Sequence, residues 1–143
     1  MTYQSHAHLY EKLSSATRSI LDASRPAYSL RSEVLELKAI FEQAGGLAPD
    51  TSRDISSGET LTSGGTAISP TMAAMCVDDF ARTVQFIRGP HAAIQAVRTK
   101  ASDRPVRVLY AGCGPWAPLA IPLMTIFAPR DLHFSLIDIH CDS

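Results

Sequence analysis

Apolar residues recur at helical spacing near the start of the chain. Over residues 9–20 they stand three and four positions apart, which predicts an amphipathic helix that ends before Pro26. A second apolar stripe over residues 34–41 predicts another helix, with Ser32 as its N-cap and Gly45–Gly46 as its end. Two such helices joined by a short turn predict a helical hairpin over residues 1–46.

The chain then becomes polar. Residues 47–65 are rich in Ser, Thr, Asp and Gly and contain few large apolar side chains, which predicts a loop or linker over residues 47–68. The stretch Thr62 to Ser69 fits two structures equally well. It is either a lid that closes over a ligand, hinged at Gly64–Gly65, or a plain connector.

A further helical stretch follows the linker and predicts helices over residues 69–100. Ser69 is placed to cap a helix whose first turn contains Pro70. Gly89–Pro90 predicts the end of this helix, and a shorter helix is predicted from Pro90 to about Lys100.

Two continuous apolar runs, at residues 106–111 and 134–139, predict β-strands. Such runs are typical of parallel strands that are covered on both faces, and a helix over residues 117–128 would connect them as a βαβ unit within residues 105–143. Residues 106–128 together are long enough to span a bilayer. Their glycines and prolines would break a spanning helix, which favours strand, turn and helix.

Composition narrows the class of protein. The chain has 143 residues, 45% hydrophobic and 19% charged, which indicates a globular domain. A formal net charge of −1 gives no reason to expect nucleic-acid binding. The cysteines Cys76, Cys113 and Cys141 form no C-x-x-C pair, so neither a disulfide framework nor a zinc site is predicted. No signal pattern occupies the first residues, and a cytoplasmic protein without a membrane anchor is expected.

The stretch "AGCGPWA" carries the candidate chemistry. Gly112 and Gly114 follow the first predicted strand, where glycine permits positive φ and a close approach of backbone to ligand. Asp138 ends the second strand, where a carboxylate can accept two ribose hydroxyls. Together these features predict a site for an adenosine-containing ligand. The alternatives are that the glycines serve packing alone and that Asp138 is a helix N-cap. The pattern also matches G-x-G-x-x-A, the nicotinamide dinucleotide fingerprint.

The stretches "VRVLYAGCGPWAPLAIPL" and "HFSLIDIH" resemble motif I and the following acidic motif of class I S-adenosylmethionine-dependent methyltransferases. The resemblance covers about forty residues. It implies an α/β fold in which a helical N-terminal region precedes the first βαβ unit of an incomplete Rossmann-like sheet. It also implies that S-adenosylmethionine is the cofactor and that its binding residues are Tyr110, Ala111, Gly112, Cys113, Gly114 and Asp138.

The chain departs from the family pattern at two positions. Tyr110 replaces the acidic residue common two places before the first glycine, and Trp116 stands at the third glycine position. The first departure removes an expected contact to the amino group of the cofactor. Tyr110 either offers its hydroxyl in place of the acid or is a core residue with its hydroxyl at the turn. The chain ends after the second strand, without the later strands on which the family places catalytic residues. No catalytic residue is therefore predicted, and we expect no methyl transfer by this chain alone.

The polar residues outside the glycine turn give weaker indications of a functional site. His6 and His8 lie near a terminus. Adjacent residues in the run His140, Cys141, Asp142 point in opposite directions on an extended chain, so no metal site is predicted. The charged residues Asp78, Asp79 and Arg82 lie on the long predicted helix. They predict either a contact with substrate or cofactor or, more simply, a solvated helix face or ion pairs between residues three and four positions apart.

Three functions follow from these patterns. The first is the N-terminal portion of an S-adenosylmethionine-dependent methyltransferase; the alternatives are a portion of a nicotinamide-dinucleotide enzyme and a non-catalytic helical interaction module. The first strand lies at the centre of the complete family sheet, so here it would keep an open edge, which predicts a homodimer or higher oligomer. The methyl acceptor is not readable from the sequence.

Overall fold

The computed structural model describes residues 3–45, 47–100 and 104–140, with side chains from residue 6 onward. The fold is mixed α/β, and about half of the chain is helical. Predicted features at Gly46 and at residues 141–143 lie outside the described part. The elements are α1 Tyr3–Leu21, α2 Arg31–Gly45, β1 Thr60–Thr62, β2 Gly65–Ala67, α3 Pro70–Met75, α4 Phe80–Lys100, β3 Val106–Ala111, α5 Ile121–Met124 and β4 Leu132–Ile137.

The predicted helical hairpin is confirmed, and it forms much of the core. The apolar stripes of α1 and α2 are buried and belong to one cluster with residues of α4, β3 and β4. The predicted cap of α2 was wrong. The helix begins at Arg31, one residue beyond a 3-10 turn at Ala27–Ser29, and the Ser32 hydroxyl donates to the Glu33 carboxylate instead.

The helical stretch after the linker is divided into two helices, but the break does not fall at Gly89–Pro90, where it was predicted. Ser69 caps α3 by accepting a hydrogen bond from the Met72 N–H, as predicted. The break falls at a 3-10 turn, Cys76–Asp78, and α4 then runs through Gly89 and Pro90. A proline clashes with the Cβ of a helical residue before it. Gly89 has no Cβ, so this pair does not end the helix as predicted.

The two predicted strands form a parallel pair, which confirms the strand prediction. Their register runs from Val106 opposite Leu132 to Ala111 opposite Ile137. β3 has its predicted bounds, whereas β4 begins and ends two residues earlier than predicted. Asp138 is therefore the first residue beyond the strand.

Only one face of this sheet is covered in the described structure. Val106 and Leu132 are buried and join the helical core, while Leu109 is 64% exposed and Ile137 56% exposed on the other face. The prediction of strands covered on both faces was wrong. The reason is that the helices of the described residues pack against a single face.

The connection between β3 and β4 is mostly turn, although a helix over residues 117–128 was predicted. Only α5, with four residues, is helical there. Pro118 lacks an N–H, and it restricts the residue before it. Ala117 has φ 42°, a left-handed value that interrupts any helix. Several apolar side chains of this connection are buried nevertheless, among them Ala120, Leu123 and Phe127.

The predicted linker contains a small hairpin. β1 and β2 pair antiparallel, with Thr62 opposite Gly65, so Ser63 and Gly64 form the hairpin turn and Gly65 begins β2. The Thr62 hydroxyl donates to the Gly65 carbonyl at 2.7 Å.

None of the helices among the described residues has the length and apolar character needed to cross a membrane. The cytoplasmic location stays a prediction.

One arginine connects α4 to the end of α1. Arg88 Nε donates to the Ile20 carbonyl at 2.7 Å, and one terminal nitrogen donates to the carbonyls of Asp22 and Arg25 at 2.8 and 2.7 Å. The last carbonyls of a helix have no partner within the helix. Arg88 therefore caps α1 and fixes the turn toward α2.

We expect Arg88→Met to lower the free energy of unfolding by about 2 kcal/mol, because three hydrogen bonds from one cation are lost. Urea denaturation followed by circular dichroism measures this loss. Arg130→Met is the matched control, since the Arg130 guanidinium lies on the surface and approaches Asp131 only at 4.0 Å. Equal midpoints for the two variants would contradict the assignment.

The homodimer also stays a prediction. β3 pairs with β4 alone among the described residues, so its second edge carries N–H and C=O groups that another strand can bind. Light scattering after size exclusion should give a mass above one chain. Leu109→Lys, which places a charge on the exposed face of β3, should shift the mass toward one chain. A single-chain mass for the unmodified protein at high concentration would refute it.

Candidate functional site

The glycine turn at the end of β3 has the predicted backbone conformation. Gly112 has φ 68° and Gly114 has φ 65°, both in the left-handed region that favours glycine. The N–H groups of Gly112 and Cys113 both donate to the Ile137 carbonyl, at 2.8 and 3.3 Å. The end of β4 therefore holds the turn directly after the last pair of the sheet.

Asp138 completes this attachment with its side chain. Oδ2 accepts a hydrogen bond from the Gly114 N–H at 2.8 Å, and Oδ1 accepts one from the His140 N–H at 3.0 Å. The carboxylate thus lies against the second glycine, between the ends of the two strands. Sequence reasoning placed Asp138 near the turn, and the structure brings the two into contact.

A third segment meets the turn through His140. The His140 Nε2 lies 3.0 Å from the Ile68 carbonyl, which follows the β1–β2 hairpin. Ser69, the next residue, is fully buried, and its hydroxyl donates to the Ile55 carbonyl. These contacts place residues 67 and 68 beside the glycine turn. The sequence gives no signal for this contact, because the two segments are distant along the chain.

Three cavities meet at Gly114. The Arg82 cavity, of about 250 Å³, lies between α3, α4 and the turn. The Phe41 cavity, of about 480 Å³, lies between the end of α2 and Asp138. The Ile139 cavity, of about 520 Å³, lies between Ile68 and the end of β4. The turn is the wall that they share.

The Arg82 cavity combines one cation with an apolar wall. Arg82 is the charged residue of its lining, and the guanidinium lies 5.4 Å from the centre of the half-exposed Phe86 ring. Tyr110 lines the same cavity, and burial raises the pKa of its phenol to about 12, against a smaller opposing effect of Arg82. The phenol is therefore protonated at neutral pH and can donate a hydrogen bond.

Cys113 forms part of the wall between the Arg82 and Phe41 cavities. Burial raises the pKa of its thiol, and the nearby Asp138 carboxylate raises it further. A thiol with a raised pKa is a poor nucleophile, since the thiolate is the reactive form. Cys113 therefore acts as an apolar wall residue in this arrangement.

The structure gathers five of the six predicted cofactor residues at this point. Tyr110, Gly112, Cys113, Gly114 and Asp138 each line at least one of the three cavities. Ala111 does not line any of them, and it is exposed at the end of β3. Its side chain alternates with that of Tyr110 along the strand and therefore lies on the opposite face of the sheet.

The charged residues near Arg82 form different contacts from the predicted helix ion pairs. Asp78 accepts two hydrogen bonds from the Lys38 ammonium on α2, at 2.6 and 2.8 Å. Asp79 caps α4 by accepting a hydrogen bond from the Arg82 N–H at 3.1 Å. Arg82 thereby stands in the first turn of α4, with its side chain at the cavity.

The remaining candidates lie apart from this site. His6 and His8 are exposed on α1. Cys141 and Asp142 lie outside the described residues. No group of three or more metal-ligating side chains occurs in the part of the chain that the structure describes.

The turn leaves little for a pyrophosphate to bind. Dinucleotides place this group on free N–H groups at the start of a helix. Here the three N–H groups of Gly112, Cys113 and Gly114 all donate within the chain. The next helix, α5, begins only at Ile121 and has four residues. The geometry disfavours the dinucleotide interpretation of the G-x-G-x-x-A pattern.

Comparison with known proteins gives no relative. The chain matches no family model, no curated protein and no solved structure.

Both turn glycines should be sensitive to substitution by alanine. A left-handed conformation costs a non-glycine residue about 1–2 kcal/mol, so both substitutions should destabilise the protein. A Cβ at Gly112 meets no heavy atom within 4 Å, whereas one at Gly114 lies 3.4 Å from the Ala73 Cβ. We expect Gly114→Ala to lower the free energy of unfolding at least as much as Gly112→Ala.

Urea denaturation measures both effects. Gly64→Ala is the control, because a Cβ there meets nothing within 4 Å and its φ is not left-handed. Stabilities equal to that of the control for both turn variants would show that the turn does not need glycine.

Proposed function

We propose that the chain binds S-adenosylmethionine at the glycine turn, as the cofactor-binding portion of a class I methyltransferase with a Rossmann-like arrangement. The observation that carries this proposal is the left-handed turn, which contacts both a cavity with a cation and a carboxylate. Arg82 lines a cavity together with Gly112 and Gly114, and Asp138 accepts a hydrogen bond from the Gly114 N–H.

The turn fits the cofactor sterically. A Cβ at Gly112 would meet no heavy atom within 4 Å, so the absence of a side chain leaves open space over the backbone. Gly112 lines both the Arg82 cavity and the Ile139 cavity, so this space is continuous with two of the three cavities. A glycine in this position lets a ligand lie directly on the chain.

The polar groups fit the ends of the cofactor. Arg82 would pair with the carboxylate of the methionine part, because a guanidinium binds carboxylates through two parallel hydrogen bonds. Asp138 would accept hydrogen bonds from the ribose hydroxyls, since each carboxylate oxygen can accept more than one. Tyr110 would donate its phenol hydrogen near Arg82. The bound cofactor supplies an electrophilic methyl group on a sulfonium centre.

The engaged N–H groups of the turn support S-adenosylmethionine over a nicotinamide dinucleotide. S-adenosylmethionine has no phosphate and does not need free N–H groups, whereas a pyrophosphate does. The cavities and the open space at Gly112 also distinguish a ligand site from a purely structural turn. A helical interaction module would give no reason for Arg82 and Asp138 to flank open space.

Calorimetry with S-adenosylmethionine and NAD tests the proposal. We expect S-adenosylmethionine to bind and NAD not to bind. Gly112→Val should abolish binding, because a β-branched side chain fills the open space, and Arg82→Met should weaken it by about tenfold through loss of a charged hydrogen-bond donor. Asp138→Asn should weaken it as well.

Two controls keep the result interpretable. Arg107→Met removes a cation from an exposed position of β3 that lines none of the three cavities, and it should leave binding unchanged. Circular dichroism identifies any variant that fails to fold, and Gly112→Ala replaces Gly112→Val if the latter does. Binding that is unaffected by every turn and cavity variant would refute the assignment, as would NAD binding of equal strength.

A further inference from the structure

The Phe41 cavity contains a polar group that the proposed cofactor site does not use. Trp116 is 5% exposed and packs on Phe41, with ring centres 5.9 Å apart and planes inclined by 27°. Its indole Nε1 is buried and has no hydrogen-bond partner among the described residues. An indole N–H is a donor only, and buried donors are nearly always paired. This one therefore indicates a missing acceptor.

Gly45, the last residue of α2, defines where that acceptor can enter. A Cβ at Gly45 would lie 2.9 Å from the Trp116 Cδ1 and 3.1 Å from Nε1. The N–H edge of the indole thus faces the one residue of this helix end that has no side chain. Gly45 and Trp116 both line the Phe41 cavity.

The remaining residues that line the cavity indicate the chemical character of a ligand. Most of the wall consists of apolar groups, and these are Phe41, Ala44, Cys113, Pro115, Ala117, Ile121 and Leu136. Polar side chains enter only at the end where Asp138 and His140 stand. Sites of this kind, apolar with a few placed polar groups, are typical of small-molecule pockets.

We propose that the Phe41 cavity binds a small, largely apolar molecule whose carbonyl or ether oxygen accepts a hydrogen bond from Trp116 Nε1. The oxygen reaches the N–H past Gly45, and the apolar body lies against Phe41 and Leu136. Binding at this cavity does not depend on S-adenosylmethionine. That the ligand is the methyl acceptor follows only if the proposed function holds, because Gly114 is then shared by the two sites.

The single tryptophan of the chain makes this binding directly visible. A ¹H–¹⁵N spectrum contains one indole cross-peak, which moves when the N–H gains an acceptor. The probes are acetophenone, which carries a carbonyl oxygen, and ethylbenzene, which has nearly the same shape without one. We expect acetophenone to move the indole peak downfield and to bind about fivefold more tightly than ethylbenzene, the effect of one hydrogen bond.

Two variants separate the hydrogen bond from the apolar contact, with the backbone amide of Gly114 as the reporter in every case. Trp116→Phe keeps the ring against Phe41 and removes the N–H, so it should bind the two probes equally. Gly45→Ala should weaken acetophenone binding, because a Cβ 2.9 Å from the Trp116 Cδ1 forces the indole to shift and occupies the space beside its N–H. Gly64→Ala, a substitution in open space, should behave like the unmodified protein.

The proposal is overturned if acetophenone leaves the indole peak in place, or if both probes move it equally. It is also overturned if Trp116→Phe still prefers acetophenone. The titrations contain no S-adenosylmethionine, so a failure of the cofactor site does not affect them. Conversely, loss of the probe site leaves cofactor binding at Arg82 and Gly112 intact.

Discussion

The candidate site depends on the hydrogen bonds by which the end of β4 holds the glycine turn. The Ile137 carbonyl accepts two N–H groups of the turn, and the Asp138 carboxylate accepts the third. A chain that passes from a strand into a left-handed turn has no sheet partners for these groups, and buried N–H groups require them. The parallel pairing of β3 and β4 places the acceptors, the Ile137 carbonyl and the Asp138 carboxylate, beside the turn. The sheet therefore determines both the shape of the turn and the kind of ligand that the turn can accept.

Because the N–H groups of the turn are already bonded, the charge at the site depends on where other elements place their side chains. The turn offers open space rather than donors, so charge at the site comes from side chains that other elements carry. Arg82 is placed by the first turn of α4, which Asp79 caps, and Asp138 is placed by β4. The helical core fixes α4 through Arg88 and the buried faces of α1 and α2. The distance between cation and carboxylate is thus a property of the whole fold.

The sequence predicted those parts whose signals are local. Apolar runs predicted both β3 and β4, and Gly112 and Gly114 predicted the turn. It failed where one neighbour overrides a rule, as when Gly89 allows α4 to continue through Pro90. Ala117 shows the converse, because its left-handed φ helps to shorten the predicted crossover helix to α5. The unpaired indole of Trp116 had no sequence signal, since it arises from packing against a distant helix end.

The β1–β2 hairpin lies outside the buried core. None of its residues is buried, and Leu61 is 84% exposed. Such a unit opens locally, so its amide hydrogens exchange with solvent long before those of β3 and β4. Ile68 follows the hairpin and lines two of the cavities. A ligand that contacts Ile68 would restrict these local openings, and part of its binding free energy would be consumed as conformational entropy.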